Sequence, residues 1–215
     1  MYTPDIIKTG FVTEYPNDKK EKCQCGDDRL IEDATQMYIE ALTTSYAGFL
    51  WDSMFSREII GEKRFDENLK WCEDHIFSFE LFSQCKKVVF QNSITYHYMA
   101  DQSNSLSNVK DAQIIYDAAV KEYKVDKNLA KDNKKANRLN DDSYLRKIAY
   151  MIEVLYKNYS FYERKEFKTS HPILSNLEIK DLPTKFYYSS LPASLSNIAI
   201  KAYHILKMAK SKIKR

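Results

Sequence analysis

The sequence predicts an α/β chain with a few strands and several helices in its first half and a mostly helical C-terminal extension. Three observations predict this. Residues 5–15 and 87–98 are rich in β-branched and aromatic side chains. Segments such as 28–42 and 195–209 repeat apolar residues at spacings of three and four. Beyond Ser103 the strand-like runs cease while the helical spacing continues. With 215 residues, 44% of them hydrophobic, the chain fits one domain or one and a half and carries enough apolar side chains for a core.

Taken in order, Asp5 to Tyr15, in TPDIIKTGFVTEY, reads as a strand through Ile6, Phe11 and Val12, with the polar run 16–20 as its turn and 21–25 as a hairpin partner. Asp27 and Asp28, in CQCGDDRL, read as N-cap and first-turn residues of a helix over 28–42, where Leu30, Ile31, Ala34, Met37, Tyr38 and Ala41 fall near helical spacing. Phe49, Leu50, Trp51, Met54, Phe55, Ile59 and Ile60 predict a short helix that Gly61 ends. After Phe65, the turn-forming Asp66, Glu67 and Asn68, and Trp71, the pair Glu73–Asp74 opens a second helix through Ile76, Phe77, Phe79, Leu81 and Phe82. KVVFQNSITYHY (87–98) reads as two short strands broken at Gln91–Asn92.

The extension follows. Ser107 or Asn108 is the predicted cap of a helix running through Val125 on Ile115, Ala118, Ala119 and Tyr123. The very polar DKNLAKDNKKANRLNDD (126–142) reads as an exposed connector or a solvated helix face at a subdomain boundary. Ser143 then caps a helix with Leu145, Ile148, Ile152, Leu155, Tyr156 and Tyr159 on one side. Residues 163–192 hold three of the five prolines and read as irregular or short-helical. A last helix after Pro192, capped by Ser194, carries Leu195, Ile198, Ala202, Ile205, Leu206 and Ala209 on one side and lysines on the other.

Charge is unevenly placed. The formal net charge is +3, and the six basic residues without any acidic one in 195–215 leave the rest of the chain at −3. No groove-sized basic surface is implied, which excludes a general nucleic-acid-binding face. An apolar side opposed by lysines is instead the pattern of a helix lying on an anionic membrane surface. No apolar run approaches a membrane span, and MYTPDIIKTGF lacks the features of a secretory signal. Cysteines 23, 25, 72 and 85 form one C-x-C and two singles, too few half-sites for structural zinc, and read as thiols in a reducing cytosol.

Glu73 and Asp74 are the residues most suited to chemistry. At a helix N-terminus the free N–H groups and the positive end of the dipole orient a carboxylate and favour its ionised form, which can accept a proton. The same position also suits acidic residues with no role beyond the helix itself.

Four short motifs stand in order here: WDSMFSRE (51–58), RFDE (64–67), EDHIFSFE (73–80) and YHY (96–98). Their order and spacing, over about half the chain, resemble the C-terminal half of the bacterial nucleotide-sugar-dependent glycosyltransferases of family 2, of GT-A-type fold. The resemblance implies transfer of a sugar from a nucleotide diphosphate to an acceptor hydroxyl in cell-surface polysaccharide synthesis, with Asp74 as general base and Glu73 orienting it. Trp51 and His97 would then contact acceptor or substrate, and His97 would also complete the shell of a manganese or magnesium ion. The partners implied are a nucleotide sugar, a sugar or lipid-linked acceptor and, through 195–215, the inner face of the cell membrane, with the protein cytoplasmic and peripheral. Domain bounds follow as 1–107 for the transferase-like half, 108–192 for the helical extension and 193–215 for the basic helix. The D-x-D motif that the family uses for metal and diphosphate is absent, Asp5-Ile6-Ile7 resembles the strand that follows it, and Met99 stands where the family often has arginine. The expectation is therefore a chain without the nucleotide-binding half. The alternative is a truncated or degenerate, non-catalytic module that binds an acceptor or a partner.

Overall fold

The computed structural model describes residues 3–23, 26–43, 48–100, 109–174, 177–189, 195–196, 198–200 and 202–203. Two compact units are formed, one by residues 1–109 and 120–143 and the other by 110–119 and 144–215. The predicted α/β class holds, with one mixed sheet and several helices.

In the first unit the sheet is built on β1 (Ile6–Glu14), which lies parallel to β5 (Val88–Met99). The other edge of β1 takes β2 (Lys20–Cys23) and β4 (Ser53–Phe55), both antiparallel, while β3 (Arg29–Ile31) pairs with the far edge of β5. The first hairpin is as predicted, closed by Asp18 at φ 60° and by Tyr15 and Lys19 across the turn. Residues 87–98 are not two strands. β5 is continuous, and register shifts opposite Lys8, Gly10 and Phe11 absorb Gln91–Asn92 as a bulge, with the Asn92 N–H donated to Asp28 Oδ1 at 2.6 Å.

That contact also corrects the reading of 28–42. Asp28 ties down β5 and does not begin a helix; α1 (Ala34–Thr43) starts later, capped by the Asp33 carboxylate on Gln36 N–H. The short helix predicted from 49 to 60 is likewise replaced by a turn, β4, and α2 (Arg57–Ile60), which Ser56 caps and Gly61 ends at φ 50°. Here the apolar residues are shared between two elements, so their spacing mimics one helix. α3 (Glu73–Phe82) begins at Glu73 as expected; Ile76 is buried, and Phe77, Phe79, Leu81 and Phe82 join Ile6, Val88 and Phe90 of the sheet and Met37 and Tyr38 of α1 in one core.

The long helices are α4 (Ala112–Ala130) and α5 (Lys134–Asn158). Their caps differ from those read in the sequence: Asp111 takes the N–H of Gln113, and Asn133 takes that of Ala136, so Ser143 lies inside α5. The polar stretch 126–142 is two helix ends joined at 131–133, and Leu129, Ala130 and Ala136 belong to the first unit's core. Asp126 and Asn140, in the same stretch, are buried.

In the second unit Ile115, Ala118, Leu145, Ile148, Ile152 and Leu155 are buried. α6 (Phe161–Ser170) opens on a Ser160/Glu163 capping box, and α7 (Leu182–Tyr188) on Asp181 with Pro183 in its first turn. Residues 195–196, 198–200 and 202–203 are helical, with Ser196 and Ile200 buried and Leu195 and Ile198 exposed. The predicted caps Ser107, Asn108 and Ser194, the second cysteine of C-x-C (Cys25), and most of the basic helix lie outside the described residues. No described helix is long and apolar enough to cross a membrane.

Candidate functional site

The loop 48–53 is fixed from below by a buried ion pair. Lys8, fully buried in β1, donates to Asp52 Oδ1 at 2.7 Å, to Ser53 Oγ at 2.8 Å and to the Phe49 carbonyl at 2.9 Å. Burial holds the Asp52 carboxyl above its usual value, against the opposing pull of the Lys8 ammonium. Thr9 Oγ1 adds a bond to the Asp52 carbonyl at 3.1 Å. The Asp of the WDSMFSRE motif is thus a backbone anchor, which nothing in its local sequence announced, because its partner is a lysine forty-four residues away.

Held in this way, Trp51 stacks on Phe49 at 4.7 Å, Tyr96 at 4.6 Å and Tyr98 at 5.6 Å, with the Phe11 edge at 4.6 Å. Tyr96 remains 39% exposed, so the stack reaches the surface. At the other end of the loop Gly48, at φ 78°, lies so close to α3 that a Cβ there would meet the Cα of His75 at 2.5 Å. Its carbonyl accepts from Ser78 Oγ at 3.2 Å. One loop therefore carries Trp51 and touches the residue that follows Asp74.

Asp74 sits in the first turn of α3 after Cys72, whose backbone is left-handed at φ 58°. Its Oδ1 accepts the His75 N–H at 2.8 Å, the residue is half-buried, and among the described residues it makes no ion pair. Desolvation raises the Asp74 carboxyl above its usual value, and the His75 N–H opposes this. The helix end thus orients the group, but burial outweighs its preference for the charged form. Glu73 is beside it, also half-buried.

His97 takes another direction. Tyr96 and Tyr98 face Trp51, so strand alternation turns the residue between them to the opposite face. There its Nδ1 lies 2.6 Å from Glu14 Oε1, which also accepts from Lys20 at 2.9 Å. These bonds hold the Glu14 carboxyl below its usual range, Lys20 first and His97 next. His97 and Glu14 offer two donors to a metal and, among the described residues, no third metal-binding side chain joins them. The structure thus brings two side chains, and no third among the described residues, to the manganese or magnesium shell expected around His97.

The group that does converge was not foreseen. His75 Nε2 lies 3.6 Å from Glu122 Oε1 and 3.5 Å from Asp126 Oδ2, all three residues are buried, and their ligand atoms lie within 4.8 Å of one another. Glu122 and Asp126 share one face of α4, being four residues apart. Ser143 Oγ reaches Glu122 Oε1 at 3.4 Å, and His75 is stacked on Phe79 at 4.1 Å. The sequence held one signal for it, an acidic i, i+4 pair in an otherwise apolar helix face, lost when 126–142 is taken as solvated. No family model matches the chain, and no curated protein matches it.

Proposed function

We propose that the chain is the acceptor-binding part of a glycosyltransferase, using Asp74 as general base toward an acceptor hydroxyl. The observation that carries this reading is geometric. Asp74 is oriented through one oxygen by the His75 N–H, is half-exposed, and makes no lysine or arginine pair among the described residues. A carboxylate enclosed in a salt bridge would be unsuited to the role. In the step proposed, Asp74 takes the hydroxyl proton as the acceptor oxygen bonds to the anomeric carbon of the donor sugar, whose bond to the nucleoside diphosphate breaks with the electron pair leaving on phosphate oxygen. The surface-reaching stack of Trp51, Tyr96 and Tyr98 offers flat apolar faces of the kind sugar rings pack on. The four-motif resemblance supports the same assignment. Exposed Leu195 and Ile198, at the start of the basic segment, support a peripheral position on an anionic membrane and a lipid-linked acceptor.

Transfer of labelled sugar from uridine and guanosine diphosphate sugars to lipid-linked and free oligosaccharides tests the reading. Asp74→Asn preserves size and the Oδ1 acceptor, and should lower the rate on the order of a hundredfold with an unchanged circular dichroism spectrum and melting temperature. Equal rates for the two proteins would remove the base assignment. Quenching of Trp51 fluorescence by the acceptor alone tests the binding half separately.

A further inference from the structure

We propose that His75, Glu122 and Asp126 bind one divalent transition-metal ion of the zinc type, in a buried site that ties the first turn of α3 to α4. The proposal stands independently of the transferase reading.

The donor set has the right chemistry. One imidazole nitrogen and two carboxylate oxygens are borderline-to-hard ligands suited to zinc and its first-row neighbours. The spacing also fits. Zinc bonds of about 2.0–2.2 Å place tetrahedral ligands about 3.3–3.6 Å apart, and His75 Nε2 lies 3.5 Å from Asp126 Oδ2 and 3.6 Å from Glu122 Oε1. Their side chains are 11% exposed for His75, 3% for Glu122 and 0% for Asp126, so the ion would be shielded from water on the protein side. With neutral imidazole, two carboxylates and one dication sum to no charge, which is the arrangement that makes burial of both acids least costly.

A second observation points into the same place. Tyr38, on α1, is fully buried, and its hydroxyl is directed at the Asp126 carboxylate. Asp126 and Glu122 act on that hydroxyl electrostatically. It is placed as an outer donor to a carboxylate oxygen not on the metal, the kind of partner that orients ligating acids. The support is rigid on each side: Phe79 holds the His75 ring, Gly48 lets the loop close on His75, Ser143 holds Glu122, and Thr35 Oγ1 bonds the Leu129 carbonyl to fix the end of α4 against α1.

The full chain, stripped with a chelator, is titrated with Co²⁺ and then with Zn²⁺. One equivalent of cobalt should give visible bands of tetrahedral intensity, which zinc abolishes, and zinc should raise the melting temperature by several degrees. The zinc K-edge X-ray absorption spectrum should show only nitrogen and oxygen neighbours at about 2.0–2.1 Å, with imidazole scattering. Glu122→Gln and Asp126→Asn should each weaken binding at least tenfold, since even outer partners of metal ligands command that much. Absence of uptake overturns the proposal, as does unchanged affinity in both variants. A sulfur shell at about 2.3 Å also overturns it, because the metal would then sit on the cysteines. Where a variant does not fold, the wild-type absorption spectrum decides.

Discussion

Lys8 is a charged residue in the most buried strand of the sheet, and its worth lies in the bonds it makes to the 48–53 loop. Removing one member of a buried pair strands the other, so Lys8→Met should cost about 3–5 kcal/mol in urea unfolding. Lys8→Met with Asp52→Leu removes both charges and should recover much of that loss, and a double variant no better than the single one would show that the pair is not the source of the effect. Cys85 is a second buried group with a measurable consequence. Its thiol donates to the Phe82 carbonyl at 3.2 Å and touches Met37 sulfur, and burial pushes its pKa up to about 12. A raised pKa means that the folded chain keeps a proton that the unfolded chain releases. The stability it contributes is complete below the ordinary thiol value of about 8.5 and is lost as pH rises from there through about 12. Urea unfolding at pH 8 and pH 10.5 should therefore show a smaller fall in Cys85→Ala than in the native protein.

Caps and close approaches determine where the elements begin and how they meet. Asn133→Ala removes the acceptor for Ala136 N–H at the start of α5 and should cost about 1 kcal/mol in thermal unfolding, while Ser143→Ala, which would be the cap had α5 begun there, should leave the helix start unchanged. Gly48→Ala should be more severe, on the order of 1–3 kcal/mol, because φ is 78° and the contact is to backbone at 2.5 Å, which cannot rotate away. These two cases show what a linear reading captures. The strand through Ile6 and Val12, the first hairpin and the start of α3 were legible because alternation, a polar turn and an acidic first turn are local signals. The break expected at Gln91–Asn92 was not one, because a bulge is settled by the partner strand. The segment 126–142 does carry the solvated helix face expected of it, at Lys127, Asn128, Lys134, Lys135 and Arg138, and only the packing of α4 against His75 and Tyr38 puts Asp126 indoors. The place of Asp74 in the first turn of α3 was legible in sequence, whereas Lys8 and the His75 group depend on contacts over forty or more residues.

At the scale of the whole molecule the charge distribution is the leading feature, since 195–215 holds six basic residues and no acidic one while the remainder carries −3. An anionic leaflet attracts the first and repels the second, so electrostatics alone would orient the chain with its C-terminal end toward the membrane. Each lysine or arginine close to such a surface contributes about 1 kcal/mol, so five or six of them would match the roughly 5.5 kcal/mol of reversible adsorption that a single acyl chain provides. Leu195 and Ile198 are exposed where the basic segment starts, and on the proposed attachment they would add apolar contact. Ile200 is buried and would add no such contact. Charge should therefore dominate the attachment, and salt should release it, because the Debye length is about 8 Å at physiological ionic strength and about 3 Å at 1 M. Co-sedimentation with vesicles containing anionic lipid should pellet the full chain at low salt, lose it at 1 M salt, and fail with neutral lipid. Charge reversal of Lys207, Lys210 and Lys214 to glutamate should abolish pelleting while preserving the melting temperature. Pelleting that persists in that variant, or that ignores lipid charge, would assign the segment to the protein's own fold and leave a lipid-linked acceptor without its route to the site.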